Sequence, residues 1–145
     1  MSDASRRSTG STARVARALR VLASDLLYHS ESHYPYRAFS AELPERSELT
    51  EETFRRVAGL GPYFELAWDS PDELFARYQD PEYLGTETAR GYALLEKAMR
   101  ALLSDLHLVY ASNQSFHYGW RVRVYLFGRL EDGSLAGLSS VSVQT

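Results

Sequence analysis

The sequence predicts an α/β (α+β) fold: a mixed sheet with helices packed on both faces. Three observations carry that expectation. Residues 115–145 read as two strands and a tight turn, because Trp120-Arg-Val-Arg-Val-Tyr-Leu-Phe alternates until it becomes an apolar run at Tyr125, and period two marks a strand. Residues 86–106 place Tyr92, Leu95, Met99, Leu102, Leu103 and Leu106 on one helical stripe. Between the chain's first helix and this one, short helical and strand-like segments alternate, as expected of helices and strands layered around a shared core. With 145 residues, 44% hydrophobic and 12% aromatic, the chain has material for one domain with a real core, which excludes disorder for most of it.

Taken in order, residues 1–10 are expected to be a disordered arm and 11–145 the domain. A first helix should start near Ser11 or Thr12, whose hydroxyls can cap free N–H groups. Val15, Leu19, Leu22 and Leu26 form its apolar stripe, with Arg14, Arg17 and Arg20 outside. It should end around residues 28–30, because Tyr34 precedes Pro35 and is pushed out of helical geometry. Ser30-Glu31-Ser32-His33-Tyr34-Pro35-Tyr36 is then a polar, aromatic corner before a strand at 36–42. Leu49-Thr50-Glu51-Glu52 opens a short helix with a cap and two acids, and Gly59 and Gly61 stop it. A strand follows at 63–68. Ser70-Pro71-Asp72-Glu73 starts another short helix, which ends by Asp80-Pro81.

The long helix to residue 106 comes next, with Glu96 and Arg100 paired at i, i+4, and then a strand from His107. In the final hairpin Trp120, Val122, Val124 and Leu126 point to one face, and Arg121, Arg123, Tyr125 and Phe127 to the other. Asp132-Gly133 supplies the turn. The returning strand is expected to hold Thr145 in place, so that the terminus is a presented group.

Most chemistries are excluded. The absence of cysteine removes disulfides and thiolate metal sites. The first 20 residues hold five arginines against Asp3, while the remainder carries 11 basic and 18 acidic residues, a net of −7. An acidic body more readily meets a cationic protein than a phosphate backbone, so no direct nucleic-acid contact is expected. No apolar run approaches membrane-spanning length, no signal peptide is visible, and a cytoplasmic location is the default. There is no GxSxG elbow, GxxxxGK[ST] loop, GxGxxG or HExxH. His29 and His33 have a spacing that could share a metal on a helix, but the expected break near Ser30 spoils that geometry, so no metal site is expected. As an enzyme the sequence makes a poor case.

The corner Leu26-Leu27-Tyr28-His29-Ser30-Glu31-Ser32-His33-Tyr34-Pro35, followed far downstream by Val124-Tyr125-Leu126-Phe127-Gly128 and Gly133-Ser134-Leu135-Ala136-Gly137-Leu138-Ser139 and the terminal Thr145, resembles the nuclease A inhibitor family over roughly residues 13–145. That resemblance implies a three-layer α/β/α sandwich similar to the pathogenesis-related protein 1 fold. It implies a bacterial-type, non-enzymatic protein that inhibits a sugar-non-specific metal-dependent nuclease of the ββα-metal type by plugging its active site. Glu31 is implied to pair with a basic residue of the nuclease, and Thr145 to reach the region of its catalytic Mg²⁺ with the hydroxyl. No cofactor of the chain's own is implied.

The chemistry is sound on its own terms. A carboxylate offers an arginine the bidentate acceptor a phosphate would, a hydroxyl can replace a water on Mg²⁺, and neither group has a bond to cleave. Where the family pattern alternates acids along the penultimate strand, this chain has Arg121 and Arg123, and His33 follows Ser-Glu-Ser where an acid is common. The alternative reading is a non-inhibitory protein- or ligand-binding module of the same fold. A third is an enzyme using Glu31, His33 and Tyr34 as an acid/base corner.

Overall fold

The computed structural model of the chain describes residues 2–30, 33–43, 47–113 and 121–143, with side chains from residue 11 onward in those stretches, Arg121 excepted. Glu31, Ser32, His117, Trp120 and Thr145 lie outside the described residues. Five helices and two antiparallel sheets are present among the described residues. Helix α1 is Ser2–Leu22, α2 Glu51–Val57, α3 Asp72–Tyr78, α4 Pro81–Leu84 and α5 Thr86–Leu102. Strands β1 (Leu27–His29) and β2 (His33–Pro35) form a small hairpin. Strands β3 (Arg37–Ala41), β4 (Glu65–Asp69), β5 (Ser104–Ser112), β6 (Arg121–Arg129) and β7 (Leu135–Val143) form the main sheet, in the order β3-β7-β6-β5-β4.

Every pairing in that sheet is antiparallel, which corrects the expectation of a mixed sheet. Strands β5, β6 and β7 follow one another as a meander, and β3 and β4 add at its two edges. Among the described residues no helix crosses over between parallel neighbours, which is what a parallel pair would need. The alternation along β6 is as expected. Val124 and Leu126 join one core cluster and Tyr125 and Phe127 the other. The turn closes with Gly133 at φ +91, its N–H on the Leu130 carbonyl at 2.9 Å, and the Asp132 carboxylate accepting from the Ser134 N–H at 2.9 Å.

One core lies under α1, α3 and α5 and is built from Leu19, Leu26, Phe75, Tyr92, Leu95 and Met99 against Val124, Leu126 and Leu138. The other lies under α2, where Phe54 meets Phe39, Tyr125 and Phe127. Helices therefore cover both faces. Thr50 caps α2 reciprocally with Thr53, as Leu49-Thr50-Glu51-Glu52 suggests.

Three boundaries differ from expectation. Helix α1 already runs from Ser2 and stops at Leu22 instead of residues 28–30, after which Leu27–His29 is strand. Its buried stripe is Thr12, Ala16, Leu19 and Ala23, and Leu22 is 43% exposed, because small residues let α1 lie close over β3 and β7. Helix α5 ends at Leu102 rather than residue 106. Leu106, Leu108 and Tyr110 share one strand face with period two, and that pattern outweighs the helical one. Asp105, at φ +51, makes the break beside a β-bulge between Ser104 and His107. The α4 turn, capped by the Asp80 carboxylate on the Glu82 N–H at 3.0 Å, was not expected. No helix among the described residues is long and apolar enough to cross a membrane.

Candidate functional site: the serine corner and the end of the last strand

The corner is flanked by the two strands of a hairpin. Leu27 pairs with Pro35, Tyr28 with Tyr34 and His29 with His33, so residues 30–32 connect two strands of three residues each. Two such short strands are not stable alone, and the molecule holds them from two sides.

From beneath, tyrosine hydroxyls take over the backbone. Tyr78 OH donates to the His29 carbonyl at 2.8 Å and accepts the His29 N–H at 3.2 Å. Tyr36 OH lies 2.8 Å from Tyr92 OH, which donates onward to the Leu27 carbonyl. Tyr28 and Tyr110 are joined at 3.1 Å. Burial, which disfavours the charged phenolate, raises all five tyrosines above their ordinary value, and pushes Tyr78 up to about 12. They are neutral donors at any physiological pH.

From the side, β7 supplies the other ties. Ser140 Oγ lies within bonding distance of the Pro35 carbonyl, 3.0 Å, and of the Tyr34 carbonyl, 3.2 Å. Ser142 hydrogen-bonds to the Tyr28 phenol. The Val143 N–H donates to Ser30 Oγ at 3.0 Å. Strand β3 pairs with β7 only as far as Arg37–Ser139, and beyond that point the hairpin takes its place beside β7. Ser140 and Ser142 are both buried on the face that carries Leu138, and buried hydroxyls require partners.

Glu31 directly follows Ser30, and Thr145 is two residues past Val143. The described structure thus brings together the residues that flank both candidate positions, joined by one hydrogen bond. The serines of β7 were missed as site residues. Their signal in the sequence is a pair of hydroxyls on the core-facing positions of an otherwise apolar strand.

The other sequence-derived candidates fare differently. His33 is exposed and Tyr34 half-buried. The cavity behind the hairpin, about 70 Å³, is lined by Tyr28, His29, Asp69, Glu73, Arg77 and Tyr110 among others, not by His33 or Tyr34. Substrate pockets are roughly 300–1,000 Å³, so this cavity suits a few waters. Larger depressions lie elsewhere, along α2 at about 760 Å³ and beside the β5 bulge at about 480 Å³. Arg14, Arg17 and Arg20 ride on α1, over one face of the sheet. Arg123 lies on the opposite face, its guanidinium 5.1 Å from the centre of the Phe64 ring. These four arginines do not form a stripe. Among the described residues no cluster of three or more metal-ligating side chains is present.

Among the described residues, then, an antiparallel α+β body ties the β1–β2 hairpin to β7. The family model of the NuiA nuclease A inhibitor-like proteins matches residues 13–145. The chain belongs to that family. No curated protein sequence matches it. Family membership carries the expectation of an inhibitor with a protein partner rather than of a catalyst.

Proposed function

We propose that the protein inhibits a non-specific metal-dependent nuclease of the ββα-metal type by inserting Glu31 and Thr145 into its active site. The observation that best supports this is the hydrogen bond from the Val143 N–H to Ser30 Oγ. A plug with two groups needs them on one small surface, and a separation by most of the molecule would have removed the idea. In this reading the Glu31 carboxylate takes the place of a phosphate on an arginine of the nuclease. The Thr145 hydroxyl approaches the nuclease's own Mg²⁺ site. The acidic body, net −7 beyond residue 20, steers encounter with a cationic cleft. Helices on both faces fit the three-layer, pathogenesis-related protein 1-like sandwich that membership implies. A cytoplasmic partner of a secreted or co-produced nuclease is the corresponding setting.

The test is a DNA-degradation assay with a ββα-metal nuclease, titrated with this protein bearing a free C-terminus. Stoichiometric loss of cleavage, relieved by Glu31→Ala and by deleting Thr145, is expected. Full cleavage at excess inhibitor by the cognate nuclease would sink the proposal. The second reading, a binding module for a different protein, draws on one observation. Arg123 is exposed where the family pattern has acids, so that face suits a partner of opposite charge.

A further inference from the structure

We propose that His29 and His33 bind a late first-row transition-metal ion, Zn²⁺, Cu²⁺ or Ni²⁺, across the β1–β2 hairpin. The helix that would have brought the two histidines together is absent here, and the hairpin brings them together instead. His29 and His33 are direct cross-strand partners, and their ring centroids are 4.5 Å apart at an interplanar angle of 62°. Two imidazoles sharing one ion at about 2.0–2.1 Å per nitrogen have centroids roughly 4.5–5.2 Å apart when they meet at about 90–110°. The observed pair is at the near end of that range.

A second observation points to a ligand. His29 Nδ1 is buried and has no hydrogen-bond partner. A buried nitrogen without a partner calls for a water or an ion. The backbone of His29 is clamped at both its N–H and its C=O by Tyr78, which fixes the point from which its side chain leaves the strand. His33 is exposed, so its ring can turn to complete the chelate. Behind His29 the cavity wall carries Asp69 and Glu73 against Arg77, an excess of one negative charge that favours a cation.

Imidazole nitrogens select zinc, copper and nickel, while magnesium and calcium prefer oxygen. Two protein ligands leave the remaining positions to water, so the site is an open one. Its structural effect is a clasp across the strands on either side of Ser30. The proposal is independent of nuclease inhibition, since neither histidine is a candidate plug group.

The test uses the full chain without a histidine tag and the chlorides of Cu²⁺, Ni²⁺, Zn²⁺ and Mg²⁺ as probes, read by titration calorimetry and by histidine ring resonances. One equivalent is expected, tightest for Cu²⁺, weaker for Ni²⁺ and Zn²⁺, with no signal for Mg²⁺. His33→Asn, a surface change that leaves the fold intact, should weaken binding at least tenfold and abolish the rise in melting temperature that Zn²⁺ gives the native protein. His117→Asn should change neither. Binding that ignores His33→Asn, or no binding at millimolar metal, overturns the proposal.

Discussion

The two faces of the main sheet are built from related residues used in opposite ways. Under α2, Phe39, Phe54, Tyr125 and Phe127 pack ring on ring, with Phe54 and Phe127 stacked at 5.0 Å. Under α1, α3 and α5, Tyr28, Tyr36, Tyr78, Tyr92 and Tyr110 also contact one another, but their hydroxyls reach out to hairpin carbonyls and to each other. Rings alone stabilise without directing. Hydroxyls in a low-dielectric interior fix orientation, because each unmade bond there is costly. The phenylalanine face holds the molecule together, and the tyrosine face aims the corner.

That contrast breaks if damage to either face has the same consequence. The largest effect is expected from Phe54→Ala, which should cost about 3–5 kcal/mol of unfolding free energy by denaturant titration, while folded protein keeps its full inhibitory strength per molecule. Gly137→Ala belongs with it. Gly137 lies opposite both Phe39 and Phe127, and an added Cβ would sit 2.6 Å from Phe127 Cα and against the Leu126 carbonyl. The missing side chain is what lets the two phenylalanine rings close over the strand.

Tyr92→Phe should show the reverse balance. It removes one hydroxyl and strands those of Tyr36 and the Leu27 carbonyl, for roughly 1–3 kcal/mol, yet it should weaken nuclease inhibition more than Phe54→Ala does. Equal inhibition by the two variants would refute the division of labour between the faces.

pH sharpens the same comparison. The tyrosines are raised above their ordinary value of about 10, so the folded state holds their protons more tightly than the unfolded chain. Their contribution is complete below pH 10 and is lost as pH climbs toward 12 and beyond. His107, packed on Trp68 and Phe127, is lowered by burial, against a smaller opposing pull from Asp105. The unfolded chain binds that proton first, so the phenylalanine face loses stability as pH falls below about 6.5. Melting temperatures across pH should therefore show two limbs, and His107→Gln should shrink only the acidic one. Burial lowers His29 as well, so part of that limb should persist in the variant.

The smallest effect is expected at Arg100, which bridges Glu96 and Asp72 at 2.8 Å each. These are largely exposed ion pairs, worth little in water. Arg100→Ala should leave both stability and inhibition within experimental scatter, and a large loss in either would mean that α3 and α5 carry more of the corner's alignment than the tyrosines do.

The parts of the fold that were legible are those with local causes. Alternation gave β6, Asp132-Gly133 gave its turn, and Thr50 and Ser70 marked helix starts. The first hairpin was not legible, because strands of three residues have no period to read and exist only through Tyr78, Tyr92 and Ser140, which are distant in the chain. The same holds for Leu22 and Leu102, placed on helical stripes by spacing but left exposed. Their neighbours Ala23 and Leu103 are the residues that meet the sheet. Thr145 stood out as a group its strand could present, but a role for it and for Glu31 came only from the resemblance of their surroundings, and Ser140 and Ser142, which tie those surroundings together, drew no notice as ordinary small strand residues.

The early end of β3 has one more consequence. Past Ser139 the outer side of β7 has no ladder among the described residues, and what covers it is a hairpin attached mainly through serine side chains. An uncovered strand edge is a template for pairing with another chain. Loosening the corner therefore exposes backbone as well as misdirecting it, and variants such as Ser140→Ala should self-associate at concentrations where the native protein stays monodisperse. The serines that hold the corner also guard the sheet against its own copies.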